Sequence, residues 1–240
     1  MFSLGGQIEI TNYDDNKAII AGIPVAINSD DRDREKVIWT GRAGYEIIPD
    51  YEAFVRGSYN TVDYDDAVDD RGIDRDSHGY EVVSGLRIDF GGLVFGDFFA
   101  GYLSQNIDDP ALDTIGGPTY GAGLTWNPTG LTSVYFSTER HIEETTILGA
   151  AGSTETNINL TVDHELMRNL LLQFDGMLQR QHFKGLSRDD DIIELSVHAN
   201  YLMNRRMNLL LGYTFEKEDS DLSTQDFQRN VVRIRFTLKI

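Results

Sequence analysis

From Val232 the chain runs Val-Arg-Ile-Arg-Phe-Thr-Leu-Lys-Ile to Ile240, apolar and polar residues in strict alternation. Val232, Ile234, Phe236, Leu238 and Ile240 share one face, while Arg233, Arg235, Thr237 and Lys239 share the other. A period of two marks a β-strand lying between an apolar and a polar medium, because successive side chains of a strand point to opposite faces. The pattern recurs upstream. Ile193, Leu195, Val197, Ala199, Tyr201 and Met203 alternate with Glu194, Ser196, His198 and Asn200. Met207, Leu209, Leu211, Tyr213 and Phe215 form another such row, as do Ile158, Leu160 and Val162. Tyr80, Val82, Leu86, Ile88 and Phe90 oppose Glu81, Arg87 and Asp89. Trp39, Ala43, Tyr45 and Ile47 oppose Thr40, Arg42 and Glu46, and Leu4, Ile8 and Ile10 oppose Gln7, Glu9 and Thr11. Segments 92–105 and 130–142 are strands whose facing the pattern leaves open.

Connections alternate in length. Tight turns are expected at Ile48–Tyr51, Phe90–Gly92, Asn127–Gly130, Met167–Asn169 and Asn204–Arg206, where Gly, Pro and Asn supply hairpin backbone angles. Between them lie longer polar loops near 13–35, 63–77, 106–117, 143–154, 185–191 and 217–227. Short turns on one side and long loops on the other are how outer-membrane barrels are built. The count is about twelve strands with both chain ends on the short-turn side, or 20 residues per strand and connection over 240 residues. The expected class is therefore all-β: a transmembrane antiparallel up-and-down β-barrel, with residues 1–240 as one domain.

Composition adds exclusions. No stretch reaches the roughly 20 apolar residues of a spanning helix; Asp97 interrupts the longest apolar passage, Gly91–Leu103. Met1-Phe2-Ser3-Leu4-Gly5-Gly6 lacks the basic and apolar regions of a secretory signal. An exported protein needs one, so residues upstream of Met1 are expected. A net charge of −18 argues against nucleic acid as a partner. The absence of cysteine removes disulfides and thiolate metal sites.

A soluble barrel or sandwich would show the same alternation with the apolar face inward. Three features favour the membrane. The polar faces are poor in lysine and rich in Asn, Thr, Gly, Glu and Arg. Aromatic residues (Trp39, Tyr45, Tyr51, Phe90, Trp126, Tyr201, Phe215, Phe236) gather near strand ends, where interfacial girdles sit. The last strand also closes on apolar alternation.

This facing turns Arg42, Glu46, Glu52, Arg56, Glu81, Arg87 and Asp89 toward the lumen. Asp163, Glu165, Asp175, Glu194, Arg233, Arg235 and Lys239 follow them. Such a lining can set a transverse field that selects solutes; it can equally pack a narrow interior with paired charges. Two loops are acidic, one with Asp63, Asp65, Asp66, Asp69, Asp70, Asp74 and Asp76, the other with Asp189–Asp191. Their spacing fits no EF-hand, and a solvated charge cluster is the plainer reading. His78, His141, His164, His182 and His198 lack metal-ligand spacing, and no Gly-x-Ser-x-Gly elbow occurs. Gly91-Gly92 and Gly121-Ala122-Gly123 suit turns and strand curvature rather than phosphate binding. No catalytic residue, metal site or cofactor is expected.

The acidic, Asn-rich loops, the runs Asp31-Arg32-Asp33-Arg34 and Asp74-Arg75-Asp76-Ser77, and Phe227-Gln228-Arg229-Asn230-Val231-Val232 resemble the putative β-barrel porin 2 family over most of the chain from Asp14. The resemblance implies a Gram-negative outer-membrane location, in contact with lipid and lipopolysaccharide. It also implies a porin-like role, in some members beside exopolysaccharide production and export and its machinery. Family members tend to extend further at the N-terminus, which again implies upstream residues and a higher strand count. The competing expectation is a closed structural barrel whose acidic loops bind a partner, a divalent cation or surface polysaccharide. The oligomeric state is not legible in the sequence.

Overall fold

The computed structural model describes residues 1–14, 16–20, 23–27, 32–69, 72–145, 147 and 149–239, with backbone only for 16–20 and 23–27. Asp31, Asp70 and Ile240, named above, lie outside the described residues. Twelve strands form one antiparallel sheet: β1 (Phe2–Thr11), β4 (Arg34–Ile48), β5 (Tyr51–Tyr64), β6 (Ser77–Asp89), β7 (Val94–Ile107) and β8 (Ile115–Thr129) come first. Then follow β9 (Thr132–Glu143), β10 (Gly152–Met167), β11 (Leu170–Lys184), β12 (Asp189–Leu202), β13 (Met207–Ser220) and β14 (Phe227–Leu238). Each strand pairs with the next in the chain, the up-and-down order expected of a hairpin series. β1 and β14 are the two edges of this sheet. Inside the first long connection, β2 (Asn16–Ile20) and β3 (Ile23–Ile27) form a separate two-stranded hairpin that the alternation did not signal.

The cross-strand register fixes the facing of every side chain, since paired residues share a face. Trp39, Tyr59, Tyr80, Phe98, Tyr120, Ile158, Leu178, Leu195, Tyr213 and Ile234 are exposed on one face. Phe54, Val62, Val83, Leu103, Thr119, Phe183 and Ser196 are buried on the other. Large apolar side chains outside and small, polar or packed ones inside is the arrangement of a sheet whose outer medium is hydrocarbon.

The sheet curls around its polar face. Arg34 on β4 and Glu144, which follows β9, approach to 3.3 Å, although a flat sheet would hold strands five places apart at about 24 Å. At this long-loop end the interior is filled. Ile107, Ile115 and Ala151 form a small apolar core with Leu112 and Ile142 packed against it. At the short-turn end it is open: a cavity of about 620 Å³ lies among Glu46, Asp50, Glu52, Arg87, Asp89 and Asp97.

The two open facings resolve. On β7, Phe98 and Tyr102 point outward, while Asp97, Phe99 and Leu103 point inward. On β9, the pairing of Tyr135 with Thr125 and Thr161 turns it inward, and Val134, Phe136 and Thr138 point out. The turn expected at Asn127–Gly130 falls later, at Gly130-Leu131. A register shift between Trp126 and Thr129 carries β8 two residues further before it reverses.

Candidate functional site: the charged inner face

Register places Arg42, Glu46, Arg56, Glu81, Arg87 and Asp89 on the inward face of β4, β5 and β6. Asp163, Asp175, Glu194, Arg233 and Arg235 lie on the same face of β10, β11, β12 and β14. The structure joins some of them. Arg42 Nη1 donates to Glu52 Oε1 at 2.8 Å, and Arg87 Nη1 lies 3.8 Å from Glu52 Oε2. Arg56 Nη2 donates to Glu81 Oε2 at 3.5 Å, and Thr119 Oγ1 donates to Glu81 Oε1 at 3.2 Å. Both arginines stack over inward rings, Arg42 on Phe54 and Arg56 on Phe99, at 4.3 and 4.6 Å from the ring centres. Asp175 accepts from Thr161 Oγ1 at 2.8 Å and Gln173 Nε2 at 3.0 Å. Asp89 is drawn into the following turn, where it accepts from the Gly92 N–H. Glu46 faces the turn-side cavity. Asp163 lines a second cavity of about 390 Å³ with Glu165, Gln173, His198 and Asn200. Glu194 faces Glu216 across the β12–β13 ladder, and Arg233 and Arg235 stand opposite Gly212 and Leu210.

Sequence pattern alone missed several groups. Arg229 pairs with Glu216 across β13 and β14. Glu144 holds Arg34 and Lys36, each at 3.3 Å. Arg75, from the acidic loop, is buried. Its Nε donates to Asp69 Oδ2 at 3.1 Å and its Nη1 to the Thr145 and Ala150 carbonyls at 2.7 and 3.3 Å. Asp97 had a signal, as the lone charge within an apolar passage; register sets it opposite Arg87.

The inward cations are segregated, whereas inward carboxylates occur on both sides of the sheet. On β9 to β13 the inward face bears Glu139, Glu155, Asp163, Asp175, Glu194 and Glu216, and no strand residue there is an inward Arg or Lys. Inward cations concentrate on β4, β5, β6 and β14, at or near the sheet edges. At the loops, burial pushes the Asp76 carboxyl above its ordinary range. The charges of Asp74, Asp63 and Asp108 push the same way, against the hydrogen bond Asp76 accepts from the Tyr64 N–H. Arg188 is held further toward its charged form by its hydrogen bonds to Asp190. Among the described residues no group of three or more acidic or histidine side chains is arranged to hold a metal ion.

The family described as Putative beta-barrel porin 2 matches residues 1–240. No curated protein matches the sequence. Among solved structures, a chain of the FpvAI–pyocin S2 complex aligns at 10% identity and TM-score 0.52, over 100% of this chain and 42% of that one. This chain thus spans less than half of that relative. The NanC porin aligns at 11% identity and TM-score 0.39, over 100% of this chain and 99% of that one. The outer membrane transporter YddB from Escherichia coli aligns at 11% identity and TM-score 0.44, over 84% and 36%.

Proposed function

Because the chain belongs to the putative β-barrel porin 2 family and is an outer-membrane β-barrel, we propose that it is a channel whose charged inner face passes small polar solutes, or assists export of a polysaccharide. The segregation of cations on the inward face carries this reading. When the sheet curls into a barrel its edges approach each other, so the arginines of β4, β5, β6 and β14 gather on one wall. The carboxylates of β9 to β12 occupy the wall across from them. A wall of arginines paired with carboxylates facing a wall of carboxylates alone produces a transverse field that orders polar solutes and their water. Carboxylates outnumber cations on this face, so small cations should pass more readily than small anions. The barrel supplies passage and no chemistry.

A second reading has its own support: the loop end is packed, with Arg75 and Asp69 buried side by side and the core of Ile107, Ile115 and Ala151 beneath them. It makes the protein a closed barrel whose acidic loops bind a partner, a divalent cation or surface polysaccharide. Incorporation into planar lipid bilayers at varied salt separates the two. Discrete steps with a cation-selective reversal potential support the channel; stable insertion without steps supports the closed barrel.

A further inference from the structure

The inward-facing arginines fall into two groups. Arg34, Arg42, Arg56, Arg87 and Arg229 each have a carboxylate within an ion-pair distance. Arg233 and Arg235 have none among the described residues, and both are exposed. Their surroundings explain the difference. Toward the turn end, the neighbouring inward residues on β13 are Thr214, Gly212, Leu210 and Asn208, and those beyond on β12 are Ser196, His198 and Asn200. None of these residues is itself a carboxylate; the nearest acids lie further round the face, Asp175 at 3.9 Å from His198 Nε2, and Asp163 and Glu165 across the cavity that His198, Asn200 and Leu210 line. The other sheet edge is similar, since the turn-side half of β1 turns Ser3, Gly5 and Gln7 to the same face.

The patch is built from hydrogen-bonding groups already in place. Asn208 Nδ2 donates to Asn200 Oδ1 at 3.1 Å, and the hydroxyls of Ser196 and Thr214 meet at 2.8 Å. Gly212 stands between Arg233 and His198. A Cβ there would come 2.6 Å from His198 Nδ1 and 3.7 Å from the Arg233 Cβ. That ring nitrogen is shielded from solvent and has no hydrogen-bond partner among the described residues. Arg233 and Arg235, two positions apart on one strand face, stand about 7 Å apart, a spacing at which two guanidinium forks can share one anion or hold adjacent anionic groups.

The geometry points to a binding subsite for a hydroxyl-bearing organic anion, carboxylated or phosphorylated, held by Arg233 and Arg235 and reached from the short-turn end. The amides and hydroxyls of β12 and β13 take its hydroxyls. The assignment deepens the channel reading and rests on it, by naming a solute class at the turn-side mouth.

The test is isothermal titration of the protein in detergent micelles with trigalacturonate and with glucose 6-phosphate, using maltotriose as the uncharged counterpart. Both anions should bind in preference to maltotriose, with affinity falling as salt rises. The double substitution R233Q/R235Q should weaken binding about tenfold or more, whereas R233K/R235K, which keeps the charge and loses the planar fork, should fall between. Arg180→Gln, on the outward face and paired with Asp191, should leave binding unchanged. Preference for one anion identifies the headgroup as carboxylate or phosphate. Anion binding no tighter than maltotriose binding, or unaltered in R233Q/R235Q, overturns the assignment. Conductance of the same preparation is scored separately: silent bilayers with arginine-dependent binding would sink the channel, and with it the subsite's role at a mouth, and leave a binding site on a closed barrel.

Discussion

Arg75 Nε lies 3.1 Å from Asp69 Oδ2, and both side chains are only 4% exposed. The pair is a structural clamp, because Arg75 also holds the Thr145 and Ala150 carbonyls of a connection some 70 residues away. Removing one partner of a buried pair leaves the other charge without its counter-ion, which costs about 3–5 kcal/mol. Asp69→Ala should therefore lower stability by that order in urea unfolding from lipid vesicles. A loss under about 1 kcal/mol would mean that the pair is solvated in the membrane-embedded protein.

Leu195 sits near the middle of β12 on the outward face, 41% exposed, between Ile193 and Val197 on the same row. If that row meets hydrocarbon, Leu195→Arg places a charge near the bilayer midplane and should cost about 2–4 kcal/mol of folding free energy in vesicles. In a soluble protein the same exposed position would tolerate arginine within about 0.5 kcal/mol. Equilibrium folding into vesicles, read by tryptophan fluorescence of Trp39 and Trp126, distinguishes the two.

What the sequence disclosed follows from the range of each interaction. β14 was legible because its alternation, Val232-Arg233-Ile234-Arg235-Phe236, is a local property that any nine-residue window reveals. β7 was not, since Phe98 and Phe99 are both aromatic yet face opposite ways, one to the outer medium and one under Arg56. The hairpin of β2 and β3 escaped because Ala18-Ile19-Ile20 and Ile23-Pro24-Val25-Ala26-Ile27 are continuously apolar and carry no period of two. The packed loop end lay beyond reach for a different reason. Its partners, Arg75 with Ala150 and Arg34 with Glu144, are separated by 75 residues and more, and nothing local in an acidic loop tells a clamp from a solvated run. Inward charges could be assigned to a face from pattern; which of them pair depends on register, as the contrast between Arg56 with Glu81 and the solitary Arg233 shows.

Asp76 offers a test by pH. Burial and its acidic neighbours raise its folded-state pKa above the unfolded one, so the folded state holds the proton more tightly. Ionising it therefore costs stability, a cost fully present above the raised pKa and removed as pH falls below the ordinary carboxylate value. Asp76→Asn keeps a side-chain carbonyl to accept from the Tyr64 N–H while removing the charge. The variant should melt a few degrees higher than the parent near about pH 7, with the gap closing toward about pH 4. A gap that widens on acidification would show that the neighbouring charges do not govern this loop.

Glu144 is the last anchor of the packed end. It bridges Arg34 and Lys36 on β4 from the connection after β9, each at 3.3 Å and partly shielded. The bridge therefore ties the residue just after β9 to β4, a strand that is not its sheet neighbour. Partial solvent access lowers its worth below that of a buried pair, to about 1–2 kcal/mol, or about 5–30-fold in an opening equilibrium. Glu144→Gln should speed amide exchange in the described residues 149–151 by that factor while leaving exchange at Leu209 and Leu211 on β13 unchanged. If conduction requires this connection to withdraw, the same variant should open more often in bilayers, with unit conductance unaltered. Faster exchange with unchanged open probability would place the solute path along the β11–β14 side of the barrel, away from the segment that Glu144 holds.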